Sequence, residues 1–145
     1  MTDDRHFLRL EVVSPDGPVF AGDVAMVVVP ALRGELGILP RHAPLVAQLA
    51  IGELRVKTLD DTWIRLAVAE GFVKVQFDKV IVLADAAELA GEIDVARAES
   101  ALLRAKERLA LIRDGKVPAG EEIDPYRETM ALRRAKNRLA VVKKG

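Results

Sequence analysis

Between Phe7 and Ala84 the chain alternates apolar and polar residues in short runs broken by turn signals, the pattern of strands with one buried and one wet face. In the first run Leu8, Leu10 and Val12 alternate with Arg9 and Glu11. Ser14-Pro15-Asp16-Gly17 ends it, since proline presets φ and glycine accepts the positive φ of a tight turn. A hairpin into Val19-Phe20 is predicted to follow. Val24 to Val29 is apolar throughout, as in a strand covered on both faces, and Pro30 is predicted to close it because it brings no ladder donor. Further strands are predicted over Glu53–Leu59, Trp63–Ala69, Phe72–Phe77 and Val80–Ala84, with turns at Asp60-Asp61, Glu70-Gly71 and Asp78-Lys79. Such spacing without helical crossovers predicts an antiparallel all-β sandwich or flattened barrel in residues 1–86.

Residues 87–145 change period. Val95, Ala98, Leu102, Ala105, Leu109 and Ile112 recur at steps of three and four, one narrow stripe of a helix over about 94–113. The breaker Gly115-Lys116-Val117-Pro118-Ala119-Gly120 ends it. A second helix over about 125–142 starts at Asp124-Pro125, aspartate capping free amides and proline occupying the first helical position. Its stripe is Leu132, Ala135, Leu139 and Val142. The two helices are predicted to form an antiparallel hairpin, its alanines allowing a close approach. Both stripes are thin. At roughly 25 cal/mol per Å² of buried apolar area the hairpin alone is marginal against the entropy of ordering it, so it must lean on the β unit or on a partner.

The 145 residues fit one ordinary domain or two small ones sharing an interface. With 22 basic and 22 acidic side chains, long-range attraction to nucleic acid or anionic lipid is not expected. There is no cysteine, so disulfide, thiol and thiolate–metal chemistry drop out. The longest apolar stretch, Val24 to Leu32, is too short to span a bilayer, and Met1-Thr2-Asp3-Asp4 lacks the pattern of an export signal.

Candidate chemistry is sparse. The histidines are His6 and His42 and the serines Ser14 and Ser100, which leaves little for a Ser-His-Asp or histidine–metal site. Gly34-Glu35-Leu36-Gly37 lacks the lysine and hydroxyl of a phosphate loop and reads as a turn between strands. Asp94 with Arg97, and Arg134 with Arg138, lie three and four apart on their helices. Either they belong to a solvated face with local ion pairs, or the closed hairpin brings them together. In the second case guanidinium groups beside a carboxylate would suit a nucleotide, arginine gripping phosphate oxygens and the carboxylate accepting from ribose or base. No carboxylate cluster for magnesium is apparent.

Three segments carry a family resemblance: Gly34-Glu35-Leu36-Gly37-Ile38-Leu39-Pro40-Arg41-His42-Ala43-Pro44-Leu45, Gly71-Phe72-Val73-Lys74-Val75, and Ala84 to Ala98 ending in Ile93-Asp94-Val95-Ala96-Arg97-Ala98. Together they resemble the epsilon subunit of bacterial rotary F-type ATP synthase, nearly end to end. Arg41 stands where that family usually has glycine, and the inter-helix segment Arg113 to Ile123 is longer than usual. The resemblance implies a non-catalytic rotor subunit of the central stalk. Its β domain would bind the gamma subunit and rest on the c-subunit ring through a loop containing Glu35 and His42. Its helices would inhibit ATP hydrolysis when extended toward the alpha and beta subunits. In the ATP-binding members a pattern Ile/Leu-Asp-x-x-Arg-Ala holds ATP as a regulatory ligand. Carried over residue by residue, this implies ATP-binding positions Glu88, Ile93, Asp94, Arg97, Ala98, Arg134 and Arg138. The location implied is peripheral, on the cytoplasmic face of the cell membrane and only through the complex. Two other readings of the residues are a free-standing ATP sensor and an adaptor whose arginines meet acidic protein surface.

Overall fold

Residues 6–144 are described in a computed structural model. Six strands come first: β1 (Leu8–Ser14), β2 (Gly17–Ala31), β3 (Gly34–Ile38), β4 (Leu45–Thr58), β5 (Trp63–Gln76) and β6 (Lys79–Leu89). A 3-10 turn over Ala90–Glu92 leads into α1 (Val95–Arg113) and α2 (Pro125–Lys144). β1 pairs with both β6 and β2, which closes the circuit β1-β6-β5-β4-β2 into a flattened barrel with β3 on the outside of β2. The strand pattern predicts antiparallel pairing throughout, but the closing pair β1–β6 is parallel. Inward positions alternate along the strands but change parity at the irregularities of β2, β4 and β5, and they form a core of seventeen buried residues, among them Leu8, Leu10, Val12, Leu54, Leu66, Val73 and Val82.

Several expected turns lie inside strands. Gly34 to Gly37 is the body of β3, paired with β2 from Ala31↔Gly34 to Val27↔Ile38. Glu70-Gly71 does not separate two strands: both residues take positive φ (58° and 113°), yet β5 keeps one register to β4 and β6 on either side of them. It is a kink in a continuous strand, which propensity reads as a break. β6 likewise runs past residue 86 to Leu89, and β4 begins at Leu45 rather than Glu53. Pro30 does not end β2, because its missing N–H is accommodated by the partner: between Val28↔Arg55 and Ala31↔Leu49 the β4 chain bulges, residues 50–54 facing only 29–30. Gly52 makes this possible, since a Cβ there would stand 2.5 Å from the Pro30 Cβ.

The helices begin and end as the sequence dictates. The Asp94 side chain accepts from the Arg97 backbone N–H at 3.1 Å and caps α1. At the other end Gly115 takes φ 66°, and the N–H groups of Lys116 and Gly115 donate to the carbonyls of Leu111 and Ile112 in a Schellman closure. Asp124 caps α2 through the Tyr126 N–H at 3.0 Å. α2 continues to Lys144, past the expected 142.

Within the hairpin Ala98, Ala105 and Ala135 are buried, so the two backbones approach closely. Arg108 Nη1 donates to the buried Glu128 at 3.0 Å and clasps α1 to α2. α2, rather than α1, lies on β4 and β5. Val141 is the fully buried residue near its end, where the single-stripe reading expects Val142, because α2 has a second face turned to the sheet. The apolar contact between arm and barrel is small: Ala67, Ile93 and Val141, flanked by Ala90 and Val142.

The kink at Gly71 gives a direct test. A Cβ there would meet the Leu83 carbonyl oxygen at 1.9 Å and the Ala84 Cα at 2.8 Å, in a φ region that side chains avoid. Gly71→Ala is expected to cost about 2 kcal/mol or more of barrel stability, read as a lowered denaturation midpoint at unchanged slope.

Candidate functional site

A cleft of about 380 Å³ opens where four pieces of chain meet: the β1–β2 turn, the end of β6, the start of α1 and the middle of α2. Of the residues singled out in the sequence, Glu88, Asp94, Arg97, Ala98 and Arg138 line it. Two do not. Ile93 is buried beneath it against Ala67 and Val141, and Arg134 lines a small adjoining hollow with Glu88, Asn137 and Arg138. Sequence reasoning missed Ser14, Asp16, Asp85 and Glu92, which also line the cleft. Ser14 and Asp16 read only as a turn, and nothing local marks that this turn folds back beside the helix start.

The polar groups are partly engaged with one another. Arg138 Nε donates to Glu88 Oε1 at 2.7 Å, a bridge from α2 to β6 with each side chain about a third exposed (32% and 35%). Asp94 spends one oxygen on its cap. Arg97 is exposed and has no carboxylate within 4.0 Å among the described residues. Five carboxylates (Asp16, Asp85, Glu88, Glu92 and Asp94) face two guanidinium groups, so the cleft is rich in acceptors and holds its positive charge at two points. It suits a ligand with several hydroxyl or amino donors and one compact anionic group. Among the described residues no group of His, Asp or Glu is arranged to hold a metal ion.

One residue beside the cleft fixes the arm to the barrel. Asn137 Nδ2 donates to the Gly52 carbonyl at 2.9 Å, in the β4 bulge that Pro30 imposes. The whole chain is also electrically divided. Residues 95–144 hold thirteen basic and seven acidic side chains, and residues 1–94 hold nine and fifteen. Attraction between the units therefore favours the docked arm and is weakened by salt.

Glu35 and His42, expected together in one loop, are set apart. Glu35 lies on β3, where its carboxylate pairs with Arg55, and Arg55 and Arg65 share Glu53. His42 stands in the 39–44 connection. There Arg41 takes φ 67°, a conformation glycine adopts freely, and its N–H donates to Asp78 Oδ1 at 2.6 Å. That ties the connection to the β5–β6 turn, where Phe77 is 88% exposed. Phe72 and Leu83, cross-strand partners on the outer sheet face, are also more than half exposed.

Residues 7–90 match the family of the ATP synthase delta/epsilon chain, beta-sandwich domain, and residues 92–143 match its long alpha-helix domain. The chain belongs to the ATP synthase delta/epsilon family. It is 53% identical over 102 residues to the ATP synthase epsilon chain of Pelotomaculum thermopropionicum, covering 70% of this chain and 75% of that one. To the epsilon chain of Halalkalibacterium halodurans it is 55% identical over 102 residues, 70% and 76% of the two. Its fold resembles a chain of the Euglena gracilis mitochondrial ATP synthase, in a structure of OSCP, F1 and c-ring, with a TM-score of 0.76 at 22% identity over 96% of this chain and 83% of the other. A chain from the central stalk and c-ring of the Tetrahymena thermophila enzyme superposes with a TM-score of 0.54 at 12% identity, covering 99% and 98%. Membership makes the chain an epsilon-type, non-catalytic subunit of ATP synthase.

The Asn137 contact predicts a local effect. Asn137→Ala is expected to speed amide exchange of α2 by roughly tenfold, the equivalent of one lost hydrogen bond, while strand amides keep their protection. Uniform acceleration over barrel and arm would mean that the contact is not a separate latch.

Proposed function

We propose that the chain is a rotor subunit of the central stalk whose barrel binds the gamma subunit and sits on the c-subunit ring, and whose arm regulates ATP hydrolysis under the control of bound ATP. The Euglena and Tetrahymena neighbours belong to assemblies described by their c-ring and central stalk, which supports the placement. The exposed Phe72 and Leu83 give the barrel an apolar face for a protein partner, and one end carries the exposed Phe77 on the turn that Arg41 ties to the connection holding His42. No helix among the described residues is long and apolar enough to cross a membrane; in this reading the complex supplies the membrane attachment, on its cytoplasmic face.

The observation that carries the regulatory reading is the small contact between arm and barrel. Three buried side chains, the Asn137 amide bonded to the Gly52 carbonyl and more weakly to that of Val68, and one ion pair hold the arm down. The same alanines and leucines find equivalent burial against the alpha and beta subunits, so two arm positions lie close in free energy. ATP would bias them by bridging both units: Arg97 and Arg138 hold phosphate, and Glu88 and Asp94 accept from ribose or base. Arg134, one turn from Arg138, reinforces the positive side from the adjoining hollow. A ligand that binds only the docked form stabilises it by about 2.7 kcal/mol at a hundredfold excess over Kd.

Arg97→Ala and Arg138→Ala are each expected to weaken ATP binding by roughly tenfold, measured by calorimetry, with the barrel's melting unchanged. Unaltered affinity would remove ATP from this cleft. In the reconstituted synthase, truncation after Ala90 spares β6 and is expected to raise ATP hydrolysis without loss of assembly. Unchanged hydrolysis would show that the arm does not inhibit.

A further inference from the structure

On the other flank of α2 lies a second and larger groove of about 540 Å³, closed on one side by the helix and on the other by β4 and the β2–β3 turn. Its floor and rim are apolar: Ile51 and Met130 are half-buried, while Leu32 (58%) and Tyr126 (71%) stand largely in water at the mouth. Large apolar side chains left wet beside a concave surface of this size mark a small-molecule site more than a flat protein interface. Arg133 and Lys136 line the same groove, and neither has a carboxylate within 4.0 Å among the described residues. Glu70 is the one acid facing them.

From these juxtaposed features we infer that the groove binds a small amphipathic monoanion, an apolar body ending in a carboxylate, of the fatty-acid class. The body would displace water from Leu32, Ile51, Met130 and the Tyr126 ring, and the carboxylate would take hydrogen bonds from Arg133 and Lys136. Beyond Arg133 and Lys136 the only side-chain donors lining the groove are the amides of Gln48 and Asn137 and the Tyr126 hydroxyl, so the site matches a single anionic group on an apolar body better than a polyphosphate. One wall belongs to the arm and the other to the barrel, so the ligand binds only the docked arm and holds it there. The groove is built from residues other than those of the ATP cleft, so the assignment stands whether or not that cleft binds nucleotide.

The test is titration of the full-length chain with decanoate, followed by calorimetry and amide chemical shifts, beside decanol and decyltrimethylammonium of matched chain length. Decanoate is expected to bind tightest and to shift the amides of Leu32, Ile51, Tyr126 and Met130. Arg133→Glu with Lys136→Glu, both at exposed positions, is expected to weaken decanoate roughly tenfold and to leave decanol unaffected. Ala140→Trp fills the groove while keeping both cations and is expected to abolish binding, while Arg97→Ala leaves it intact. Equal binding of decanoate and decanol, shifts centred on Phe72 and Leu83 instead, or an affinity indifferent to charge reversal would each overturn the assignment.

Discussion

The arm meets the barrel through Ala67, Ile93 and Val141, and the organisation of the molecule follows from how little that is. A fully buried valine or leucine contributes about 1.5–3 kcal/mol, so the seventeen core residues of the barrel carry far more apolar stabilisation than the contact that docks the arm. The arm has one such residue, Val141, and a set of alanines whose burial contributes less. Docking therefore depends on polar terms: the Asn137 bond to Gly52, the Arg138–Glu88 pair and the attraction between a basic arm and an acidic barrel. Such terms are directional or screened, and a ligand that supplies one more of them changes the balance.

The docking site itself is prepared by the strand chemistry beneath it. Pro30 interrupts the β2 ladder, β4 bulges in response, Gly52 makes room for the proline ring, and the Gly52 carbonyl receives Asn137. A feature that looks like a strand terminator from sequence is thus part of the surface that holds the helix. α2 then separates two recesses of different character, an acceptor-rich cleft at Arg138 and an apolar groove at Asn137 and Ala140. Both lie between the same two units, so an occupant of either would act on the same docking equilibrium.

Much of the fold was legible from period and punctuation. The alternation of Leu8, Leu10 and Val12, the Asp94 and Asp124 caps and the Gly115 stop all stand as the residues imply, since each rests on local geometry. What failed was non-local. Glu70-Gly71 has the composition of a turn but is held in one register by strands on both sides. Val141 is buried because α2 faces the sheet as well as α1, and a one-dimensional stripe sees a single neighbour. In the cleft, Asp94 and Arg97 were readable from their spacing of three at the start of α1, whereas Glu88, at the end of β6, came only from the family resemblance. Asp16 and Ser14 lie far away in sequence and reach the cleft only because β1 pairs in parallel with β6, Val13 facing Leu83.

The proposed regulation requires that the arm have two homes of similar free energy, with ligand and charge choosing between them. The chain has no cysteine, so Thr62→Cys with Lys143→Cys, both exposed sites, places one spin label on the β4–β5 turn and one near the end of α2. Pulsed electron resonance then reads the distance between arm and barrel. Two distance populations are expected, the shorter gaining with ATP and losing with added salt. A single short distance, indifferent to ATP, to salt and to assembly with the gamma subunit, would leave the arm with one home only and the regulation without a basis.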